Sequence, residues 1–564
     1  MILRAKTRSN GRFAALLLAF SLVAAACSSS EDAAQLIDPA DFPNTPEAEQ
    51  DDSAILTPDG LAFTSGPLNL RVSVPELDVV PPHEVDETNA VQVLIADLLT
   101  DGLTRRNDET GSIEPALAES WRTNNSGLVW TFQLGDATFS DGSPVTADDV
   151  VASLNRVALQ GSASISGPNL WPIVGWDRAG DNENVDSVSG IEAPREDRVR
   201  ITTTRPFTPL PEILAAVSFG VLPADAADGE NGDLPLSSAI DFTPTERWED
   251  GLRLEREAEN GIVSKIELFV DPQLTMLQAG ETDLAVAVDV DEPLEGVTNA
   301  AVPRSAETYF AMNALVSPLD DVMIRQAIVH AIDAQQIRDT FFPNAEVMRN
   351  FIPEDVIGGV RNACATSCEF NPSQARTLVQ ASPSRNAAFT VDYVEIDPRE
   401  ATVDKRIAER IAATLNEIGL RAEAVGHTPE EFEAAASAGE LGLFRFGSAS
   451  TTLSAETDLG LSFHGNGRDN VTGTSIPRVN TLINEARETM SEDERAQHYS
   501  EAESILFAEA VVLPLVQFNH QIAFGATLDA AGLEPDGSLD LSEMRFAPVE
   551  APDEPILDLS LIHI

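Results

Sequence analysis

Phe389-Thr-Val-Asp-Tyr-Val-Glu-Ile396 opens the stretch that decides the fold. Its β-branched and aromatic residues predict a strand. A helix-forming run follows from about Pro398 to Ile418, and Gly419 closes it, because glycine takes up the left-handed cap conformation without a Cβ penalty. Arg421 to Val425 reads as a second strand. Thr428-Pro429-Glu430-Glu431 then supplies a helix N-cap, a proline at the first helical position and a glutamate at the third. Leu441 to Phe446 is the next strand. Strands alternating with helices predict an α/β protein, with a parallel sheet covered on its faces.

Helix and strand signals continue on both sides of that stretch. Thr146-Ala147-Asp148-Asp149 is a capping box opening a helix to about Leu159. Ile324, Ile328 and Ile332, with Ala327 and Ala331, form one apolar face of a helix starting near Asp321. Asp271-Pro272 starts a short helix that stops at Gly280, and Asp283 to Val288 continues as a strand. Ser491-Glu492-Asp493-Glu494 caps a long helix to about Ala510, followed by a strand from Val511 to Phe518.

The N-terminus reads as an export signal. Arg4, Lys6, Arg8 and Arg12 precede an apolar run from Phe13 to Ala26 that stops at Cys27. Such a run is too short to span a bilayer and has the layout of a secretory leader, expected over residues 1–26. Val23-Ala24-Ala25-Ala26-Cys27 resembles a lipobox, with Ala24 where leucine is commoner, so Cys27 is the expected lipidation site. Residues 27–65, rich in Ser, Asp, Glu, Ala and Pro, read as a solvated tether. The rest exceeds what one core serves and implies two or three domains.

Charge removes one class of partner. The chain holds 36 Lys and Arg against 92 Asp and Glu, a formal net charge of −56. Without the leader's four cations the remainder stands near −60, a field that repels nucleic acid and anionic lipid. The membrane is therefore expected as a partner only through the lipid anchor. The lysines are Lys6, Lys265 and Lys405, so nearly every cation is arginine. An acid-rich, lysine-poor surface suits a saline exterior, where salt screens self-repulsion; drift toward arginine codons gives the same composition.

Chemistry-bearing motifs are sparse. Cys364 and Cys368 lie four residues apart, and in an oxidising compartment that pair is expected to close a small disulfide loop. A metal site needs more ligands, and no histidine lies near. The seven histidines (83, 330, 427, 464, 498, 520 and 563) show no paired metal-ligand spacing. Neither a nucleophile elbow nor a phosphate-binding glycine loop is present. A lipid-anchored hydrolase would need a nucleophile–base pair or a metal cluster, so neither an enzyme nor a cofactor is expected.

Three blocks carry a family resemblance. The first is Asp101-Gly102-Leu103, Glu114-Pro-Ala-Leu-Ala-Glu-Ser-Trp121, Trp130-Thr-Phe-Gln-Leu134 and Phe139-Ser-Asp-Gly-Ser-Pro-Val-Thr-Ala-Asp-Asp-Val150. The second is Asn313, Ser317-Pro-Leu-Asp-Asp321 and Arg325-Gln-Ala-Ile-Val-His-Ala-Ile-Asp333. The third is Ile476-Pro-Arg-Val-Asn-Thr-Leu-Ile483, Tyr499 and Val512 to Phe518. Over about Leu68 to Phe546 the chain resembles the family 5 extracellular solute-binding proteins, the oligopeptide, dipeptide and nickel receptors of ABC importers. Most of these residues read as fold determinants: Asp141-Gly142 suits a tight turn, Trp121 and Trp130 suit a core, and Asp320 or Asp321 caps a helix.

The resemblance implies a two-lobed, periplasmic-binding-protein-like α/β fold with an extra α+β domain inserted in the first lobe. Mapped onto this chain, lobe one takes residues 66–103, 206–312 and 516–546, the extra domain 104–205, and lobe two 313–515. An acidic tail fills 547–564, and Leu559-Ser-Leu-Ile-His-Ile564 reads as a translated sequencing-library end. Crossovers near Asn313 and Gln517 are expected to act as the hinge. The implied function is that of a monomeric extracytoplasmic receptor delivering a solute, with peptide favoured, to an ABC permease by lobe closure. A non-transport surface sensor or scaffold is the alternative outside transport.

Two departures bear on the solute. The family's Gly-Thr-Gly-Pro-Tyr stretch is replaced by Pro235-Leu-Ser-Ser-Ala-Ile-Asp-Phe242, and the aromatic segment after it shrinks to Glu255–Asn260. Peptide receptors of the family carry Trp-x-x-Asp-Tyr-x-Asp-Pro, whose first Asp pairs with the peptide ammonium. Here the place reads Phe446-Gly-Ser-Ala-Ser-Thr-Thr-Leu-Ser454, with hydroxyls for the acid. A buried ammonium without a carboxylate is poorly compensated. Either Glu456 or Asp458 takes over, or the ligand lacks a free amine there, as a modified peptide or an oligosaccharide does. The candidate cleft residues are Ser237, Ser238, Tyr309, Asn313, Phe446, Ser448, Ser450 and Thr451. For each hydroxyl among them, taken singly, the surface-loop reading stands slightly ahead. The Trp171-Pro-Ile-Val-Gly-Trp176 loop either caps the cleft or packs on its own domain.

Overall fold

The computed structural model describes residues 54–56, 61–64, 68–86, 89–107, 111–160, 166–179, 185–226, 242–248, 250–256, 263–286, 297–354, 356–396, 402–449, 454–525, 528–529, 541, 544–546 and 549–550. Two compact units emerge. The first takes its described residues from 78–240 and 302–520, the second from 54–77, 241–301 and 521–550. The chain passes from one to the other inside two strands, Val297–Met312 and Val512–Gly525.

The deciding stretch folds inside the first unit as an α/β layer. Ala388–Val394 pairs in parallel with Arg421–His427 on one side and with Leu443–Ala449 on the other. The segment Ala306–Met312 lies antiparallel to Leu443–Ala449. Boundaries moved where capping chemistry decided them. The helix expected from Pro398 runs Val403–Glu417, because the Thr402 hydroxyl accepts the Lys405 N–H and so marks the start. Gly419 beyond its end has φ 97°. Thr428 and Glu431 complete the capping box of Pro429–Ser437, and Asp321 caps Val322–Ala331 through the Met323 N–H. Ile324, Ile328, Ile407, Ile411 and Leu415 are buried in one core against Val391 and Leu443.

A second layer of the same unit is antiparallel. Its strands run in the order Ala118–Thr123, Val129–Leu134, Arg198–Thr202, Ile191–Arg195. The helix Ala147–Gln160 packs into their core, which holds Trp130 and Phe132 with Trp121 at its margin. Asp149 accepts the Thr146 N–H and hydroxyl at 2.8 and 2.7 Å, fixing the helix start. Gly142 sits at φ 84° beside Asp141, whose Oδ1 takes the Ser143 N–H and hydroxyl.

In the second unit, Leu68–Val74 lies between the parallel neighbours Val263–Val270 and Leu284–Val286. Arg71 forks onto Asp283, and Glu267 takes Arg253 and Asn69. Asp271 caps the short helix Thr275–Gln278 by accepting the Thr275 and Met276 N–H groups. Among the described residues no helix is long and apolar enough to cross a membrane.

Candidate functional site

The strand Leu443–Ala449 leads into the loop that departs from the peptide-receptor pattern. Its register pairs Phe446 with Tyr309 and Ser448 with Glu307. Tyr309 is buried, Phe446 half-buried, and their rings lie 5.9 Å apart. Phe351 meets Tyr309 edge-on at 5.9 Å and packs on Phe463 at 4.6 Å and Phe507 at 4.8 Å. These rings belong to one buried core cluster, with Phe446 packed at its margin. A disulfide joins Cys364 and Cys368 at its margin, with Cys364 buried in the same cluster.

Two predicted site residues, Tyr309 and Phe446, are brought together. Asn313 is also buried, but its amide serves the main chain: Nδ2 donates to the carbonyls of Gly439 and Leu441, and Oδ1 accepts the Leu315 N–H. Ser237, Ser238, Ser450, Thr451 and the lipidation candidate Cys27 lie outside the described residues.

Beyond the loop stands a buried charge network that sequence reasoning did not assemble. Glu456 begins a π-helical turn, Glu456–Leu461, and is 1% exposed. Arg487 grips its carboxylate with Nε at 3.0 and 2.9 Å and one terminal nitrogen at 2.6 Å. The Tyr499 hydroxyl donates to Glu456 Oε2 at 3.3 Å. Gly460 faces the pair so closely that a Cβ there would lie 2.3 Å from Glu456 Oε1, so any side chain at 460 would have to displace the carboxylate from its place. Burial works against the Arg487 charge, yet Glu456 outweighs it and holds the guanidinium above its ordinary pKa. Asp458, the other candidate acid, is half-buried on the same turn.

A second pair repeats the theme. Glu212 is buried against Arg495, and Ser454, the last residue of the departing loop, donates to Glu212 Oε2 at 3.2 Å. Burial raises the Glu212 pKa, with Arg495 and Ser454 opposing. Glu212 and Arg495 are 283 positions apart. Neighbouring bonds bring the same segments together: the Thr208 N–H and hydroxyl donate to the Arg487 and Ala486 carbonyls, and Thr457 donates to Asn169 at 3.0 Å. Trp171 packs edge-on against Phe207 and lies under the Arg487 guanidinium at 5.1 Å, so the Trp171–Trp176 loop faces both its own domain and the 454–487 region. His464, buried nearby, is pushed down to about 4, first by burial and then by Arg487 and Arg205, and stays neutral. No group of three metal-ligating side chains occurs among the described residues.

The geometry has known counterparts. Residues 112–470, more than half of the chain, match the family described as bacterial extracellular solute-binding proteins, family 5. The probable D,D-dipeptide-binding periplasmic protein of Escherichia coli (strain K12) is 24% identical over 438 residues, covering 73% of this chain and 80% of that protein. Heme-binding protein A of Haemophilus influenzae is 24% identical over 452 residues, covering 73% and 80%. Among solved structures, HbpA2 from Haemophilus parasuis superposes with a TM-score of 0.70 at 20% identity, covering 85% of this chain and all of that one. The periplasmic murein tripeptide binding protein in its unliganded open form gives 0.70 at 18% identity, covering 87% and 99%. The fold is the two-lobed solute-binding type, and the chain belongs to the family 5 extracellular solute-binding proteins.

Proposed function

We propose that this family 5 member is an extracytoplasmic solute receptor that captures a peptide by lobe closure and hands it to an ABC import permease. Family membership carries the reading, and relatives named for dipeptides, di- and tripeptides and oligopeptides support peptide as the solute. We include in it the lobe mapping and hinge stated above, and a lipid anchor at Cys27. The charge-then-apolar leader ending in Ala-Ala-Ala-Cys27 motivates the anchor, and Cys27→Ser is expected to abolish lipid labelling and release the protein from membranes.

One observation favours a refinement. Glu456, a candidate to replace the missing ammonium-binding acid, is already matched by Arg487, and Glu212 beside Ser454 by Arg495. Each of these two buried acids carries its own cation. A ligand whose amine is blocked, or a neutral solute such as an oligosaccharide, suits hydroxyls at 450–452 better than a free ammonium does.

Native mass spectrometry of protein purified from rich medium tests the receptor reading. A retained peptide mass supports it; a retained sugar or heme mass moves the solute class; and a chain that stays empty and binds no peptide library overturns it.

A further inference from the structure

Within the first unit, two apolar cores stay apart. One, around Trp130 and Phe132, draws its buried members from residues 103–221. The other, around Phe351 and Tyr499, draws them from residues 309–512, and among the described residues the two share none. What joins the segments 166–212 and 454–495 is polar. Glu212 meets Arg495 with both side chains buried, and Ser454 donates to Glu212 Oε2 at 3.2 Å. The Thr208 N–H donates to the Arg487 carbonyl at 2.9 Å and its hydroxyl to the Ala486 carbonyl at 3.1 Å. Thr457 donates to Asn169 at 3.0 Å, and the Arg487 and Arg468 guanidinium groups lie over the rings of Trp171 and Trp176 at 5.1 and 5.0 Å.

The chemistry of that junction makes it separable. A shared apolar core parts only by exposing its side chains to water, whereas hydrogen-bonding groups exchange protein partners for water at little net cost. Surfaces between parts of a chain that move against each other are accordingly the more polar ones. The Glu212–Arg495 pair is finely balanced, because removing both charges from water opposes the contact and their mutual attraction favours it. Burial accordingly raises the Glu212 pKa, with Arg495 and Ser454 opposing. An ion pair is also directional, so it closes in one register only. Ser454 ties that pair to the end of the 446–454 loop.

We propose that the Glu212–Arg495 pair is a latch: it holds segment 166–212 on segment 454–495, and its parting frees Ser454 and the loop that ends there while both cores stay folded. The latch's use in solute capture rests on the receptor reading above; its existence does not. The Thr208 N–H, bonded across the junction, is the reporter. Hydrogen exchange on the full chain reads it, with each rate corrected for the intrinsic rate of its amide. In the wild type, Thr208 is expected to exchange at least tenfold faster than the amides of the strands Val129–Leu134 and Ala388–Val394. Glu212→Gln, which keeps the shape and removes the charge, should speed Thr208 a further tenfold and leave the strand amides unchanged. Arg495→Lys, which keeps the charge, should speed it less.

A wild-type Thr208 as slow as the strand amides overturns the latch, since the junction would then open only on global unfolding. So does a Glu212→Gln chain that leaves Thr208 unchanged, or that speeds Thr208 and the strand amides by one common factor. Should Glu212→Gln not fold, Ser454→Ala and the wild-type comparison decide by the same criteria. A tryptic digest of casein, added to the wild type, separates the latch from its use. Slower Thr208 exchange ties the latch to peptide capture. A fast Thr208 that no peptide slows leaves the latch standing and removes the peptide reading.

Discussion

Glu456 and Glu503 are two fully buried glutamates placed either side of Tyr499, and they meet burial in opposite ways. Glu456 has a guanidinium across both oxygens and the Tyr499 hydroxyl on one of them. Glu503, one helical turn beyond Tyr499, accepts the main-chain N–H groups of Phe351 and Ile352 on Oε1 and has nothing on Oε2. Burial pushes Glu503 up to about 7, with the two N–H groups opposing. Neutral dipoles offset only part of the desolvation of a carboxylate, whereas a bidentate arginine supplies a whole opposite charge. Equal burial therefore accompanies an arginine–carboxylate pair in one place and a group near its titration point in the other.

The strongest way to break this contrast is to remove the cation. Arg487→Met leaves Glu456 buried without a partner and is expected to cost about 3–5 kcal/mol at pH 7 by urea denaturation. The loss should shrink toward pH 5, because a protonated carboxyl is easier to bury, and Glu456→Gln in the same background should recover much of it. A single variant as stable as wild type would mean that the ion pair holds nothing.

Glu503 gives the next largest effect, with a definite sign. Its folded-state pKa of about 7 lies above the ordinary 4.5, so the folded protein keeps a proton that the unfolded chain has released. That contribution is complete below about pH 4.5 and is lost as pH rises through 7, a difference of about 3 kcal/mol. Glu503→Gln, always neutral, should flatten this part of the profile. Urea midpoints of both proteins at pH 5 and pH 8 decide it; parallel profiles would refute the assignment.

The ligand reports on the other half of the contrast. If Glu456 is matched internally, a peptide's amine gains little from the site, and N-acetylation should cost less than about 1.4 kcal/mol, a tenfold change. Titration of paired free and acetylated peptides measures this, and a hundredfold loss would point to Asp458 as an ammonium partner. The smallest effect belongs to the residue between the two acids. Tyr499→Phe removes one hydrogen bond to an already paired carboxylate and is expected to cost about 1 kcal/mol in thermal or urea unfolding.

Much of the fold was legible because it is written in local chemistry. The capping box at Thr428, the Asp321 and Ser491 caps and the strand at Ala388–Val394 each depend on residues within a few positions, and the structure places each of them. The Pro398 helix start was misread because Thr402, four residues on, is the better cap. The site was much less legible. Tyr309 and Phe446 came from the family pattern and meet across a strand pair. Glu212, Arg487 and Arg495 gave no signal, since a charged residue in an acid-rich chain looks like a solvated surface group until its partner is known.

The sequence by itself determined the alternation of strands and helices, the family, the leader and the acidity, all properties that a residue and its near neighbours carry. Only the tertiary structure decided which acids are charged, which arginines are committed to them and which stand over an indole. Glu212 reaches Arg495 across 283 positions and Glu456 reaches Arg487 across 31, so no window of local sequence contains either pair. Burial sets the energetic stakes for a charge, and burial exists only once distant segments have packed.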